Sequence, residues 1–202
     1  KSTQADDHFN AFLYTGDGTS NKDFASNTFT PDLVWLKART TTDNHVLVDS
    51  SRVTGTHLDS NAVYPNLHSN NLDAEASDSH PKIITNGVQV SGGLYNNNTI
   101  GFVVWNWKAN GGTTTTNNAG SNGADITGVI QANTTAGFSI VTFTGNDGDG
   151  TNNLIAHGLG KAPAFYIVKD RDTNSAGRWM VYHHGLGIHH GATRDNLFLE
   201  LT

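Results

Sequence analysis

The stretch "YHHGLGIHHGATRD", residues 182–195, places four of the chain's ten histidines within eight positions: His183, His184, His189 and His190. Neutral imidazole is a common zinc ligand, and three or four such groups can converge on one ion at about 2.0–2.1 Å. The HH-x4-HH spacing permits this if a turn folds one pair back on the other. Successive residues of a strand point to opposite faces, so only one of His183 and His184 is expected to join a site, with His189 or His190 as partner. The other reading is a strand end running into a turn at Gly185 and Gly187, decorated with exposed imidazole, and this is the expectation.

A second group with chemical potential is "TGNDGDGTNN", residues 144–153. Asp147 and Asp149 sit in a Gly-rich loop that could offer oxygen ligands to Ca²⁺. The twelfth position from Asp147 is Gly158, where an EF-hand needs a bidentate Glu, so the expectation is a plain turn. No cofactor is therefore expected, and Ca²⁺ or Zn²⁺ would be the ions if any binds. Lys37 and Arg39 recur as Lys169 and Arg171, which suggests either an anion or sugar contact or cationic stems covering apolar surface at a strand end. Trp35, Trp105, Trp107 and Trp179 are candidate sugar-stacking platforms, although Trp35 and Trp179 lie in strands where packing is the usual role. There is no Gly-x-Ser-x-Gly elbow, phosphate-binding Gly-Lys loop or His-Glu-x-x-His pair, and no catalytic residue is expected.

Composition narrows the elements that must hold these groups. Among 202 residues there are 22 Gly, no Cys, and only 15% charged residues against about 25% in ordinary domains. Absence of Cys excludes disulfides, thiolate metal sites and thiol nucleophiles. Twelve Lys and Arg against 18 Asp and Glu give a net charge of −6, with no basic stripe to neutralise phosphates, so nucleic acid is not an expected partner. No apolar run approaches the roughly 18–20 residues of a membrane-spanning helix, and membrane insertion is not expected either.

Nine short segments rich in β-branched and aromatic residues, bounded by Gly, Asn, Asp or Pro, read as strands. They begin at Phe9, Asp32, His45, Gly87, Ile100, Gly137, Ala164, Arg178 and Asn196. "IGFVVWNWKA" is apolar on both faces and reads as a central strand, most easily placed in a sandwich. The expected fold class is all-β, sandwich or jelly-roll-like.

"FNAFLYTGDG" from Phe9 aligns with "FSIVTFTGND" from Phe138 at an offset of 129 residues, and "PDLVWLKAR" from Pro31 aligns with "PAFYIVKDR" from Pro163 at 132. "HVLV" from His45 falls over "WMVY" from Trp179, which puts Leu47 over Val181 and Asp49 over His183. The expected organisation is a first β unit over 5–108, a Gly/Thr/Asn-rich linker over 109–125, and a related, truncated unit over 126–202 that lacks a counterpart of "GFVVWNWKA". The chain is accordingly expected to be part of a longer protein.

Together, "TTAGFSIVTFTGNDG", "HGLGKAPAFYIVKDRD", "WMVYHHGLG" and "VVWNWKANGG" resemble a repeated domain of tail-fibre and other virion proteins of marine bacteriophages. The first copy departs from it in having "NTFT" at 27–30 in place of "HGLG". The resemblance implies a virion structural protein that is extracellular when released: a tail-fibre or capsid-attached fibre subunit. It would assemble as a homo-oligomer, contact other virion proteins and touch host surface glycans. A capsid decoration protein without receptor binding and a glycan-cleaving enzyme are the two alternatives. The enzyme would need paired carboxylates in a groove, and no such pair can be named from the sequence.

Overall fold

The computed structural model describes residues 5–69, 73–146, 153–172, 179–185 and 197–198. The chain is all-β, and the one helical piece among the described residues is a 3-10 turn at Ala5–Asp7. The first half carries β1 (Phe9–Thr15), β2 (Lys22–Phe24), β3 (Leu33–Ala38), β4 (Val46–Asp49), β5 (Leu67–His68), β6 (Lys82–Ile84), β7 (Gly87–Val90) and β8 (Gly101–Trp107). The second carries β9 (Thr115–Asn117), β10 (Gly128–Asn133), β11 (Phe138–Phe143), β12 (Phe165–Lys169), β13 (Trp179–His183) and β14 (Leu197–Phe198).

In the first half an antiparallel sheet runs in the order β1-β8-β3-β4-β5, and a smaller one in the order β2-β7-β6. Their inner faces form one core. Val34, Leu36 and Ala38 of β3, Val46 and Val48 of β4, and Phe102 and Val104 of β8 meet Ile83, Val88 and Val90 of the small sheet. Alternation along each strand generates this layer, because every second side chain points inward. The small sheet starts β7 on Gly87 for a steric reason: a Cβ there would lie 1.8 Å from the Phe24 carbonyl oxygen of β2.

Strand β8 is central, paired with β1 on one side and β3 on the other. Its residues alternate between the fully buried Phe102, Val104 and Asn106 and the half-buried Val103, Trp105 and Trp107.

The second half holds two three-stranded antiparallel sheets, β11-β10-β9 and β12-β13-β14. Residues 109–125, expected as a linker, do join the halves, yet they carry β9 and are tied to the first half. Asp32, fully buried, accepts the backbone N–H groups of Ala109 (2.7 Å), Gly111 (3.0 Å) and Gly112 (2.9 Å) and the Ser50 hydroxyl (2.6 Å). Gly111 and Gly112 take left-handed φ values of 62° and 77°, which side-chain-bearing residues resist, and this curls the N–H groups around the carboxylate. Gln131 of β10 closes the knot from the other side. Its Oε1 accepts from Asn110 N (3.0 Å) and Gly112 N (2.9 Å), and its Nε2 donates to Ser51 Oγ (2.7 Å). Gly, Thr and Asn content alone does not separate a loose linker from an anchored one, because the anchor lies elsewhere in the chain.

A second tie is ionic. The half-exposed Arg171 donates to Glu75 (3.0 Å), which also meets the buried Arg52 guanidinium, and Arg52 Nε donates to Asp49 (2.6 Å). Trp179, 3% exposed, donates its indole N–H to the His68 carbonyl (3.1 Å).

Candidate functional site

The outer face of the large sheet is the surface most able to do chemistry. Side chains directly opposite on adjacent strands share a face, and the register sets Trp35 opposite Trp105, with Leu33 and Phe9 both opposite Trp107. The result is a continuous array of rings. Phe9 and Trp107 have centroids 5.1 Å apart, Trp107 and Trp35 6.5 Å, Trp35 and Trp105 5.8 Å, and Trp35 and His45 5.6 Å. Phe138 of β11 stacks on Trp107 at 6.2 Å and continues the array into the second half.

The three indoles are half-buried, while Phe9 and Leu13 of β1 are 38% and 62% exposed. Such a face offers flat apolar surface together with indole N–H donors. Trp35 uses its donor within the protein, giving it to His45 Nδ1 at 2.8 Å. Burial first, and then the Lys37 ammonium, hold His45 below the ordinary imidazole range, which keeps Nδ1 an acceptor. Among the described residues nothing accepts from Trp105 or Trp107, so those two donors face a ligand or solvent.

In the second half, β9 and β10 and the 154–162 segment enclose an open cleft of about 870 Å³, lined by polar groups including Asn110, Asn117, Asn122, His157 and Lys161. Ile130 and Ala132 line it too, on the face of β10 opposite to that of Asn133 and its partner Phe138. The aromatic face of the large sheet suits polyhydroxylated ligands: rings cover C–H faces, and indole N–H groups meet hydroxyls.

His183 ends β13 and His184 lies at the start of the turn after it. Their rings approach to 4.7 Å. His183 Nδ1 accepts the Gly185 N–H at 3.0 Å, leaving Nε2 as its other nitrogen. His189 and His190, and the loop carboxylates Asp147 and Asp149, lie outside the described residues. Among the described residues no three His, Cys, Asp or Glu side chains converge as a metal site.

Lys37 turns its ammonium to the carbonyls of Ala38 (2.6 Å), Thr41 (3.2 Å) and Asp43 (2.8 Å), pinning the loop before β4, and Arg171 is engaged by Glu75. Neither cation is laid out as an anion site. Trp179 is core, as its strand implied, whereas Trp35 faces outward. Sequence reading missed Asp32, Asn110 and Gln131; the one local signal was an Asp directly before an apolar strand, and "NGG" at 110–112.

A family model described as a domain of unknown function, DUF7483, matches residues 4–202. No curated protein and no solved structure matches the chain.

Proposed function

The chain belongs to the DUF7483 family, and from that footing we propose that this member is a structural subunit of a bacteriophage virion, a tail-fibre or capsid-attached fibre module that contacts host-surface glycans. The observation that carries the reading is the ring array of Phe9, Trp35, Trp105, Trp107 and Phe138 across the outer sheet face. A soluble domain with no recognition role has little reason to hold three indoles at a surface. The charge-poor, Asn- and Thr-rich cleft of the second half has the polar lining that the same ligand class needs.

Binding by one such face is weak, and a fibre that presents many copies gains avidity through linkage. No catalytic step belongs to this reading, and neither a metal nor a cofactor is needed for it.

The test is a binding titration of the chain, free and displayed multivalently on beads, against host capsular and outer-membrane polysaccharide, followed by Trp fluorescence. Trp105→Ala and Trp107→Ala should weaken binding at least tenfold, about 1.4 kcal/mol, with little loss of thermal stability, because both side chains are half-exposed. Absence of polysaccharide binding by the multivalent form overturns the glycan role, and cleavage of the polysaccharide overturns the non-enzymatic one.

A further inference from the structure

We infer that the outer edge of β12 is an acceptor for an extended polypeptide segment with the pattern of β8, apolar on both faces. Acceptance of such a strand does not depend on the virion reading.

In the first half Leu33 pairs with Asp49, Trp35 with Leu47, Leu47 with Leu67 and Val46 with His68. In the second, Phe165 pairs with His183, Ile167 with Val181, Val181 with Leu197 and Met180 with Phe198. With Leu33 over Phe165, Leu47 over Val181 and Asp49 over His183 in the sequence alignment, β3-β4-β5 and β12-β13-β14 have the same order and the same register. The other edge of β3 is filled by β8. Among the described residues, the other edge of β12 pairs with no strand, and β11, aligned with β1, has β10 on one edge and no strand on the other.

The chemistry of that edge follows from one hydrogen bond. His184 N donates to Ala164 O at 2.7 Å, so residues 164 and 184 form a hydrogen-bonded pair of the ladder. Antiparallel ladders alternate, so Tyr166 and Val168 also turn their backbone groups to β13, while Phe165 and Ile167 turn theirs the other way. In the first half Ser50 N donates to Asp32 O, and Arg39 N to Gly101 O. By the same alternation Val34 and Leu36 face β4 while Leu33 and Trp35 face β8. Phe165 and Ile167 thus present the N–H and C=O pattern that β8 satisfies on β3.

The side chains agree with an occupant that is apolar on both faces. Phe165, 52% exposed, lies on one face of the sheet, and Tyr166 and Met180, 38% and 39% exposed, lie on the other. A strand like β8, with Val103, Trp105 and Trp107 on one side and Phe102 and Val104 on the other, extends both surfaces at once. Register carries over as well: a residue in the Trp107 position falls opposite Phe165, and one in the Trp105 position opposite Ile167.

The test uses the full chain and a synthetic peptide of residues 99–109, with residue-resolved amide hydrogen exchange by NMR. In the free chain the Phe165 and Ile167 amides should exchange rapidly. Saturating peptide should slow both at least tenfold and leave Tyr166 and Val168 unchanged, and a peptide carrying Trp105→Pro, which deletes an N–H on the pairing edge, should have no effect. Ile167→Pro, which deletes an N–H that β13 does not use, should abolish the protection. Slow exchange at Phe165 and Ile167 before peptide is added overturns the inference, as does protection that appears along β1 instead, or unchanged rates at peptide saturation. The wild-type rates decide the matter if Ile167→Pro does not fold.

Discussion

At the scale of single residues, the largest energetic weight outside the apolar core sits on Asp32. Its carboxylate is the acceptor for three backbone N–H groups and one hydroxyl in a dry environment. Asp32→Ala leaves those donors buried without an acceptor and should cost about 3 kcal/mol or more, read as a lowered urea midpoint at unchanged m-value. His45 gives a pH-dependent counterpart. Its unfolded imidazole titrates at the ordinary 6.5, and the folded one below that value. The unfolded chain therefore binds a proton that the folded chain does not, so this contribution is fully present above pH 6.5 and is lost as pH falls from there through the lowered folded value. His57, facing the Tyr64 hydroxyl, is lowered by burial in the same sense. Thermal scans should show the wild type losing stability between pH 7.5 and 5.5, and His45→Gln, which still offers Trp35 an acceptor, losing less. Neither residue announced its role in the sequence. Asp32 meets partners 77–80 positions away, and the Trp35–His45 bond depends on how a loop closes between two strands.

At the scale of elements, the strands that a sequence reveals are those with an apolar face to bury. The segments from Phe9, Asp32, His45, Gly87, Ile100, Gly137, Ala164, Arg178 and Asn196 all contain strands. The missed ones are "KDF", "LH", "KII" and "TTN", too short for a period to register, together with "GVIQAN", where a buried Gln sits at a core position. The fold class was legible because two-residue alternation pervades the chain; the knot around "NGG" was not, because turn-forming residues look alike whether or not something holds them. The ionic tie between the halves makes its own prediction. Arg52 keeps only 5% of its side-chain surface, and although burial opposes its charge, the Asp49 and Glu75 carboxylates override it and hold the guanidinium protonated. Glu75→Ala should cost about 3 kcal/mol by stranding part of a buried cation. Arg171→Ala, at a third exposed, should cost less than about 1 kcal/mol. Chemical denaturation of the two variants side by side separates a core charge from a surface one.

At the scale of the whole molecule, Asp32, Gln131 and Trp179 bind the second half onto the first through buried polar contacts, and the partly exposed Glu75–Arg171 bridge adds to them. The two halves should therefore unfold together, and calorimetry should return a van't Hoff enthalpy equal to the calorimetric one. Two separated transitions would mean that these contacts are weaker than their burial implies. The central position of β8 also governs the order in which the molecule can be made. A ribosome delivers β1 and β3 long before residues 101–107, and those two strands have no pairing with each other in the finished sheet. Until β8 emerges, the nascent chain must hold two strand edges apart with nothing between them, the condition most exposed to mispairing with a neighbouring polysome product. Slow translation before residue 101 should lower the yield of native protein more than slow translation after residue 107.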